Sequence, residues 1–410
     1  MDYIKRTIED TLQKSLSNRK AIFILGPRQV GKTTLLNRLM EICSKENSLY
    51  YDLGLQSDLE VFSDSLENIL ARFRFDKKSK AGKTFVFIDE VQNVSDFSHK
   101  IKALVDHHSN EFKLVLTGSS SVLIRRQFSE SLAGRKEEHI LYPLNFSEFC
   151  LFKGEEKTAG LLDQGYSHEE HYPLHLYPGK MKNLLAEYMV YGGYPEVVLL
   201  NNADAKADLL DELVSSTVIK DIRHLFRIEK IEQFNKLVKY LAINTGKEIN
   251  LQSIFRTIEL HYETVLSYLM VLEASFIISK ITPFYTNKTK EMVKMPKVYM
   301  IDMGIRNKLV NNLNPPESRE DKGELFENLV FLNLLHKKDA LTEIKYWKTK
   351  FQQEVDFVVN RNQAITAYEA KFGKDRNNHF TAFSRAYPKA QCRIVRYDYQ
   401  YKEDELPAYF

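Results

Sequence analysis

Cysteine is scarce in this chain: three residues in 410, Cys43, Cys150 and Cys392, lie far apart and form no metal-spacing pair. So sparse and odd a count speaks against a disulfide framework and suits a reducing compartment. Long hydrophobic runs are also missing; no stretch reaches the ~18 apolar residues of a membrane-spanning helix. The opening Met1-Asp2-Tyr3-Ile4-Lys5-Arg6 has no signal-peptide apolar core. The expected location is therefore the cytoplasm, with no membrane partner. Excess charge of one sign is lacking too, since 58 basic against 55 acidic residues leave +3, with pI ≈ 8.4. Bulk charge thus neither demands nor excludes nucleic acid, and any such contact must come from local basic patches. Internal repeats and low-complexity tracts are absent. What remains is 43% hydrophobic and 28% charged, a globular balance, over a length that suggests two to four domains.

The most informative passage is Gly26-Pro27-Arg28-Gln29-Val30-Gly31-Lys32-Thr33, followed by Thr34. It lies between the apolar run Ala21–Leu25 and a helical pattern beginning at Thr34-Leu35-Leu36. Glycines at both ends of such a loop let backbone N–H groups wrap phosphates at the positive end of a helix. Lys32 is expected to reach the β/γ-phosphates of ATP, and the Thr33 hydroxyl to ligate Mg²⁺.

Thr84-Phe85-Val86-Phe87-Ile88-Asp89-Glu90 is an apolar strand that ends in two acids. Asp89 is placed to hold the magnesium through water, and Glu90 to polarise the water that attacks the γ-phosphate. A further strand, Leu49–Leu53, falls between the phosphate loop and this one in the chain. That order disfavours small-GTPase-like folds and kinases acting on small acceptors. The next strand, Lys113–Thr117, leads into Gly118-Ser119-Ser120, where Thr117 is the first choice for a γ-phosphate sensor and Ser119 the second. The competing reading is an ordinary turn with serine as helix cap. Ser131-Leu132-Ala133-Gly134-Arg135 offers Arg135 as an arginine finger acting on a neighbouring subunit, with Arg125 and Arg126 as competitors. A finger acting in trans implies a homo-oligomer.

Apolar runs at Ala21–Leu25, Leu49–Leu53, Thr84–Ile88, Lys113–Thr117 and His139–Tyr142, separated mostly by helical patterns, predict an α/β core with a five-stranded parallel sheet. Ile4, Ile8, Leu12 and Leu16 predict an amphipathic helix before it. The expected division is an ATPase core over 1–153, an insert and helical lid over 154–226, and a winged-helix-like region over 227–310. A linker over 311–322 and a C-terminal domain over 323–410 complete it. Within 154–226, His168, His171 and His175 beside Glu169 and Glu170 read as a solvated loop rather than a metal site. Asp221, Arg223 and His224 read as a polar hinge. Helices at 231–243, 251–258 and 261–272, then strands at 276–281 and 297–301, follow winged-helix order. Arg256, His261 and Lys288 could touch DNA phosphates from there; packing against a protein is the alternative.

Taken together, GPRQVGKTTLL, FVFIDEVQNV, LVLTGSSS, SLAGR, YPLNFSEF and YGGYPEVV resemble bacterial and archaeal AAA-type ATPases that carry a C-terminal domain of unknown function. GELFENLV and EVDFVV extend the resemblance nearly to the end of the chain. It implies an AAA core, a helical lid containing Tyr191-Gly192-Gly193-Tyr194-Pro195, a winged-helix region and a nuclease-like C-terminal fold. Asp356, then Glu369-Ala370-Lys371 on the next strand, with Glu327 on a preceding helix, resembles the restriction-endonuclease-like core. Asp356, Glu369 and Glu327 would hold a second Mg²⁺ or Mn²⁺, and Lys371 would orient water at a scissile phosphate. Alternating charge on a half-exposed strand is the plainer account. The leading expectation is an Mg²⁺-dependent ATPase acting on DNA through its C-terminal domains. A nucleotide-gated protein-interaction switch and an ATP-regulated nuclease are the rivals.

Overall fold

Parallel pairing of five short strands builds the N-terminal part of the protein. In this computed structural model the described residues are 3–43, 47–78, 82–94, 97–119, 132–163, 178–216, 222, 228–285, 295–349, 351, 353–373, 380–397 and 405–410. The chain divides into two compact units, Met1–Tyr142 with Ala274–Phe276, and Pro143–Glu273 with Ile277–Phe410.

The first unit runs α1 (Glu9–Ser15), β1 (Ala21–Leu25), α2 (Lys32–Ile42), β2 (Ser48–Asp52), α3 (Gln56–Ser63), α4 (Leu66–Asp76), β3 (Thr84–Asp89), α5 (Phe97–His108), β4 (Phe112–Gly118) and β5 (Lys136–Ile140). The sheet order is β2-β3-β4-β1-β5, with every pair parallel. β1 and β4 are buried along their whole length, as central strands covered on both faces must be. The register aligns Leu25 of β1 with Gly118 of β4, and Asp52 of β2 with Asp89 of β3. All C-terminal strand ends therefore open on one edge, where ligands of such sheets bind. Tyr51, Phe62, Phe73, Phe97 and Phe112 pack as an aromatic core beneath this edge.

Two boundaries differ from the sequence expectation. The helix suggested by Ile4 and Ile8 begins only at Glu9, because Arg6 before it is drawn into hydrogen bonds with Val30 O and Tyr142 O. β5 begins at Lys136 rather than His139; as an edge strand paired on one side with β1, it tolerates charged residues that periodicity does not recognise. β2 does fall between the phosphate loop and β3 in the chain, while in the sheet it lies at the outer edge and β4 separates β1 from β3.

The second unit opens with helices α6 (Phe146–Phe152), α7 (Glu156–Asp163), α8 (Pro178–Tyr191), α9 (Pro195–Leu199) and α10 (Ala203–Leu213). α6 starts with a capping box in which Asn145 and Glu148 satisfy each other's backbone N–H groups. Three further helices follow, α11 (Ile231–Ile243), α12 (Leu251–Ile258) and α13 (Tyr262–Ala274), then the antiparallel pair β6 (Ile278–Ile281) and β7 (Lys297–Met300). α14 (Met303–Leu309) leads to a stretch, 311–321, expected as a linker but tightly tied. Arg319 is buried, donates to Asn312 O and pairs with Asp321, which also holds Arg306. The unit ends with α15 (Lys322–His336), β8 (Thr342–Lys348), β9 (Glu354–Arg361), β10 (Ala364–Lys371), α16 (Thr381–Ala386), β11 (Gln391–Arg396) and β12 (Glu405–Pro407). Its sheet order is β12-β11-β10-β9-β8, antiparallel across β8-β9-β10 and parallel from β10 to β12. The buried Asp302 caps α14 at Ile305 N and accepts from Gly193 N, which accounts for the adjacent glycines of the Tyr-Gly-Gly-Tyr-Pro string. Among the described residues, no helix is long and apolar enough to cross a membrane.

Candidate functional site

The loop between β1 and α2 is shaped by its two glycines. A side chain at Gly26 would stand 2.2 Å from the Leu141 carbonyl oxygen, and Gly31 takes the left-handed conformation, φ 91°, at the head of α2. No side chain caps that helix, so its first N–H groups are left to an anionic ligand. Val30 is buried, and Arg6 braces the loop from behind through Val30 O at 3.0 Å.

Lys32 is buried, and its Nζ donates to Gly26 O at 3.0 Å and Pro27 O at 2.7 Å. Burial pushes its pKa down to about 8, against the opposing pull of Glu90 and Asp89. A buried ammonium bonded only to carbonyls is under-compensated, and a triphosphate would supply the missing negative charge.

Asp89 ends β3 with both carboxylate oxygens engaged. The Thr33 hydroxyl donates to Oδ2 at 2.5 Å, and the Thr117 hydroxyl donates to Oδ1. Tyr50 OH approaches Oδ2 from β2 at 3.4 Å. Thr33 and Asp89 thus form a compact set of hard oxygen donors of the kind that suits Mg²⁺. Thr117 also accepts from the backbone Glu90 N at 3.3 Å, so its hydroxyl ties the Asp89 carboxylate to the start of the turn that carries Glu90. Glu90 has φ 55°, a left-handed backbone at a non-glycine residue. That turn swings its carboxylate to Gln92, whose Nε2 donates to Oε2, and to Ser119, whose Oγ donates at 3.4 Å. Ser119, the second sensor candidate, therefore faces the expected general base.

Arg135 lies just before β5 and pairs with Asp106 of α5 at 2.5 Å. Because Ala21 aligns with Lys136, Arg135 stands at the start of β1, whereas the phosphate loop leaves its end. Its own loop is beyond its reach, and a finger role requires a neighbouring subunit. Ser120, Arg125, Arg126 and Ser131 lie outside the described residues, as do His168, Glu169, Glu170, His171, His175, Asp221, Arg223, His224 and Lys288.

In the second unit, β9 and β10 bring Asp356, Glu369 and Lys371 together as their spacing suggests. Asp356 Oδ2 accepts from Ala370 N at 2.8 Å, and Lys371 Nζ lies 2.9 Å from Glu369 Oε1. Glu327 joins the cluster, but Lys297 and Tyr299 of β7 hold it. Lys297 Nζ sits 3.2 Å from Glu327 Oε1 and 2.5 Å from Glu354 Oε1, and Tyr299 OH donates to Glu327 at 2.6 Å. Burial pushes the carboxyls of Glu327 and Asp356 up to about 7, with Glu369 reinforcing the effect at Asp356. Among the described residues no three acidic, histidine or cysteine side chains gather as metal ligands. The donor set expected for a second Mg²⁺ or Mn²⁺ thus does not fit as it stands, because Lys297 and Lys371 occupy oxygens of Glu327 and Glu369 that the metal would need. Nothing in the sequence around Lys297 signals this role, whereas Gln92, also missed, stands two residues after Glu90.

Residues 18–150 match the family model described as an AAA domain. Residues 182–316 and 322–409 match two domains of unknown function, DUF8612 and DUF4143. The uncharacterized protein MJ1544 of Methanocaldococcus jannaschii is 26% identical over 89% of this chain and 78% of its own. An uncharacterized protein of Haemophilus influenzae is 24% identical over 91% of this chain and 88% of its own. Among solved structures, a Walker-type ATPase of Pyrococcus abyssi covers 75% of this chain and 96% of its own at 14% identity, with a TM-score of 0.49. The matched AAA region supports an AAA-type ATPase domain, followed by regions similar to domains of unknown function.

Proposed function

We propose that this protein is an Mg²⁺-dependent ATPase that couples nucleotide state to its second unit. The observation that carries the proposal is the double clamp on Asp89, held at one oxygen by Thr33 of the phosphate loop and at the other by Thr117 of β4. Gly26 to Thr34 would wrap the phosphates, with Lys32 exchanging its carbonyl partners for phosphate oxygens. Bound through Thr33 and Asp89, Mg²⁺ would neutralise charge developing on the β- and γ-phosphates. Glu90 would take the proton of the attacking water, and Thr117 would keep the two acids aligned. Arg135 would act on the nucleotide of a neighbouring copy, making the working form a homo-oligomer. Glu90→Gln is expected to bind ATP like the parent and lose turnover by about 10²-fold or more. Unchanged hydrolysis would remove the assigned base, and turnover per subunit that stays flat over a protein titration would remove the intersubunit arginine.

DNA is one partner for the second unit, with Arg256 and His261 exposed near its α12–α13 turn. One observation favours a second reading, a nucleotide-gated protein-interaction switch. Tyr262–Ala274, the third helix of the winged-helix-like order, contains no lysine or arginine, and it exposes Tyr262, Leu266 and Met270 at four-residue spacing. Lysine and arginine are prominent among the groups that contact DNA phosphates, and this helix supplies neither. Turnover with and without single-stranded, duplex and branched DNA at two salt concentrations separates the two, since phosphate contacts weaken steeply with salt. Salt-sensitive stimulation supports the DNA partner; none leaves the switch. An ATP-regulated nuclease would need cleavage in Mg²⁺ or Mn²⁺ that Asp356→Ala abolishes.

A further inference from the structure

The turn that follows Asp89 and Glu90 carries a polar group that the ATPase chemistry above does not use. Val91–Asn93 form a single 3₁₀ turn, anchored by the buried Val91 and by Asn93 Nδ2 donating to Leu53 O at 3.1 Å. Between these anchors Gln92 is turned inward and buried. Its Nε2 donates both to Glu90 Oε2 and, at 3.1 Å, to Ser119 Oγ. Its Oε1 is buried and has no hydrogen-bond partner among the described residues. An unpaired buried amide oxygen is costly, and one beside a general base needs a reason.

We propose that Gln92 is a further positioning residue of the ATPase site, holding Glu90 through its amide nitrogen and accepting a hydrogen bond from the attacking water through its amide oxygen. The inference rests on the ATPase reading and extends it. The chemistry sets the requirement. The water oxygen bonds to the γ-phosphorus as the bond to the β–γ bridging oxygen breaks, and the departing proton passes to Glu90. A base that swings freely would meet that water in many orientations, and orientation is a large part of such catalysis. Glu90 emerges from a left-handed backbone, φ 55°, on a side chain with three rotatable bonds. Gln92 and Ser119 together confine its carboxylate. Among the described residues Lys32 interacts electrostatically with Glu90, and the adjoining Asp89 and Arg28 act on Lys32 as well. None of these can restrain Glu90 and also accept from water, because Lys32 only donates and Asp89 is committed to Thr33 and Thr117. A neutral amide can do both.

The experiment compares the full chain with Glu90→Gln, Gln92→Ala and Gln92→Glu, measuring ATP turnover, affinity for an N-methylanthraniloyl ATP analogue, and thermal unfolding. Gln92→Glu keeps the size and an acceptor oxygen but replaces the donor with a charge that repels Glu90. Both Gln92 variants are expected to hold the analogue within about threefold of the parent and to lose kcat by about 10²-fold, the scale of removing one active-site hydrogen-bonding group. That split between kcat and affinity, at an unchanged unfolding temperature, is what a merely structural glutamine would not produce. If Glu90→Gln abolishes turnover while the two Gln92 variants keep kcat within threefold, the inference falls and the ATPase reading stands. Should Gln92→Ala fail to fold while Gln92→Glu folds with full kcat, it falls likewise. If Glu90→Gln leaves turnover intact, the underlying reading fails and takes this one with it.

Discussion

Two buried lysines, Lys32 in the first unit and Lys297 in the second, meet opposite fates. Lys32 bonds to the carbonyls of Gly26 and Pro27, so burial prevails and its pKa drops to about 8. Burial also pulls Lys297 down, but Glu327, Asp356 and Glu354 together overcome it and hold the ammonium well above the ordinary lysine range. The difference lies in where the counter-charge comes from. One site keeps its carboxylates on hydroxyls and leaves its cation short of an anion; the other has its anions built in. The phosphate loop is thus short of an anion, whereas the carboxylates beside β9 and β10 have Lys297 and Lys371 among them while burial still holds Asp356 and Glu327 at about 7.

The comparison breaks most visibly at Lys297. Lys297→Ala would strand Glu327 without its cation, while Glu354 keeps Lys348 at 3.2 Å; breaking a buried pair in this way costs about 3–5 kcal/mol. Chemical denaturation should show that loss, with binding of the ATP analogue retained. A change below about 1 kcal/mol would mean that the cluster is hydrated rather than internally paired.

Lys32→Ala is the mirror case. It removes an under-compensated cation, so the unfolding free energy should hold or rise slightly, while ATP affinity falls about 10²-fold through loss of a charge-assisted phosphate contact. Equal affinity in the variant would end the nucleotide reading altogether.

The smallest effect is a pH dependence. The Glu327 carboxyl, raised to about 7 by burial, keeps its proton in the folded state longer than in the unfolded one. The native state then binds more protons between roughly pH 4.5 and 7, so stability rises as pH falls through that window. The unfolding temperature at pH 6 should exceed that at pH 8 by about 1–2 °C, the shift that roughly 1 kcal/mol produces in a chain of several hundred residues. Glu327→Gln should reduce the difference but not abolish it, because burial raises the Asp356 carboxyl to about 7 as well. An equally steep profile in that variant would place the titrating group elsewhere.

Chain order alone made the phosphate loop, the acidic strand and the alternation of strands and helices legible. Those signals are local: glycine where the backbone must turn, a lysine one residue on, apolar runs that end in carboxylates. The spacing of Asp356, Glu369 and Lys371 was equally readable, because alternate residues of a strand share a face. What the cluster does was not. Lys297 lies 30 residues from Glu327 and 57 from Glu354 in sequence, and only the packing of β7 against α15 and β9 brings its charge to theirs. Thr117 and Ser119 likewise reach Asp89 and Glu90 only because β4 is inserted between β1 and β3, an order that no local pattern encodes. Identity and spacing thus determined which groups could do chemistry. Tertiary contact decided which would be neutralised inside the fold and which left to meet a ligand, because the balance between burial and counter-charge exists only once distant segments touch.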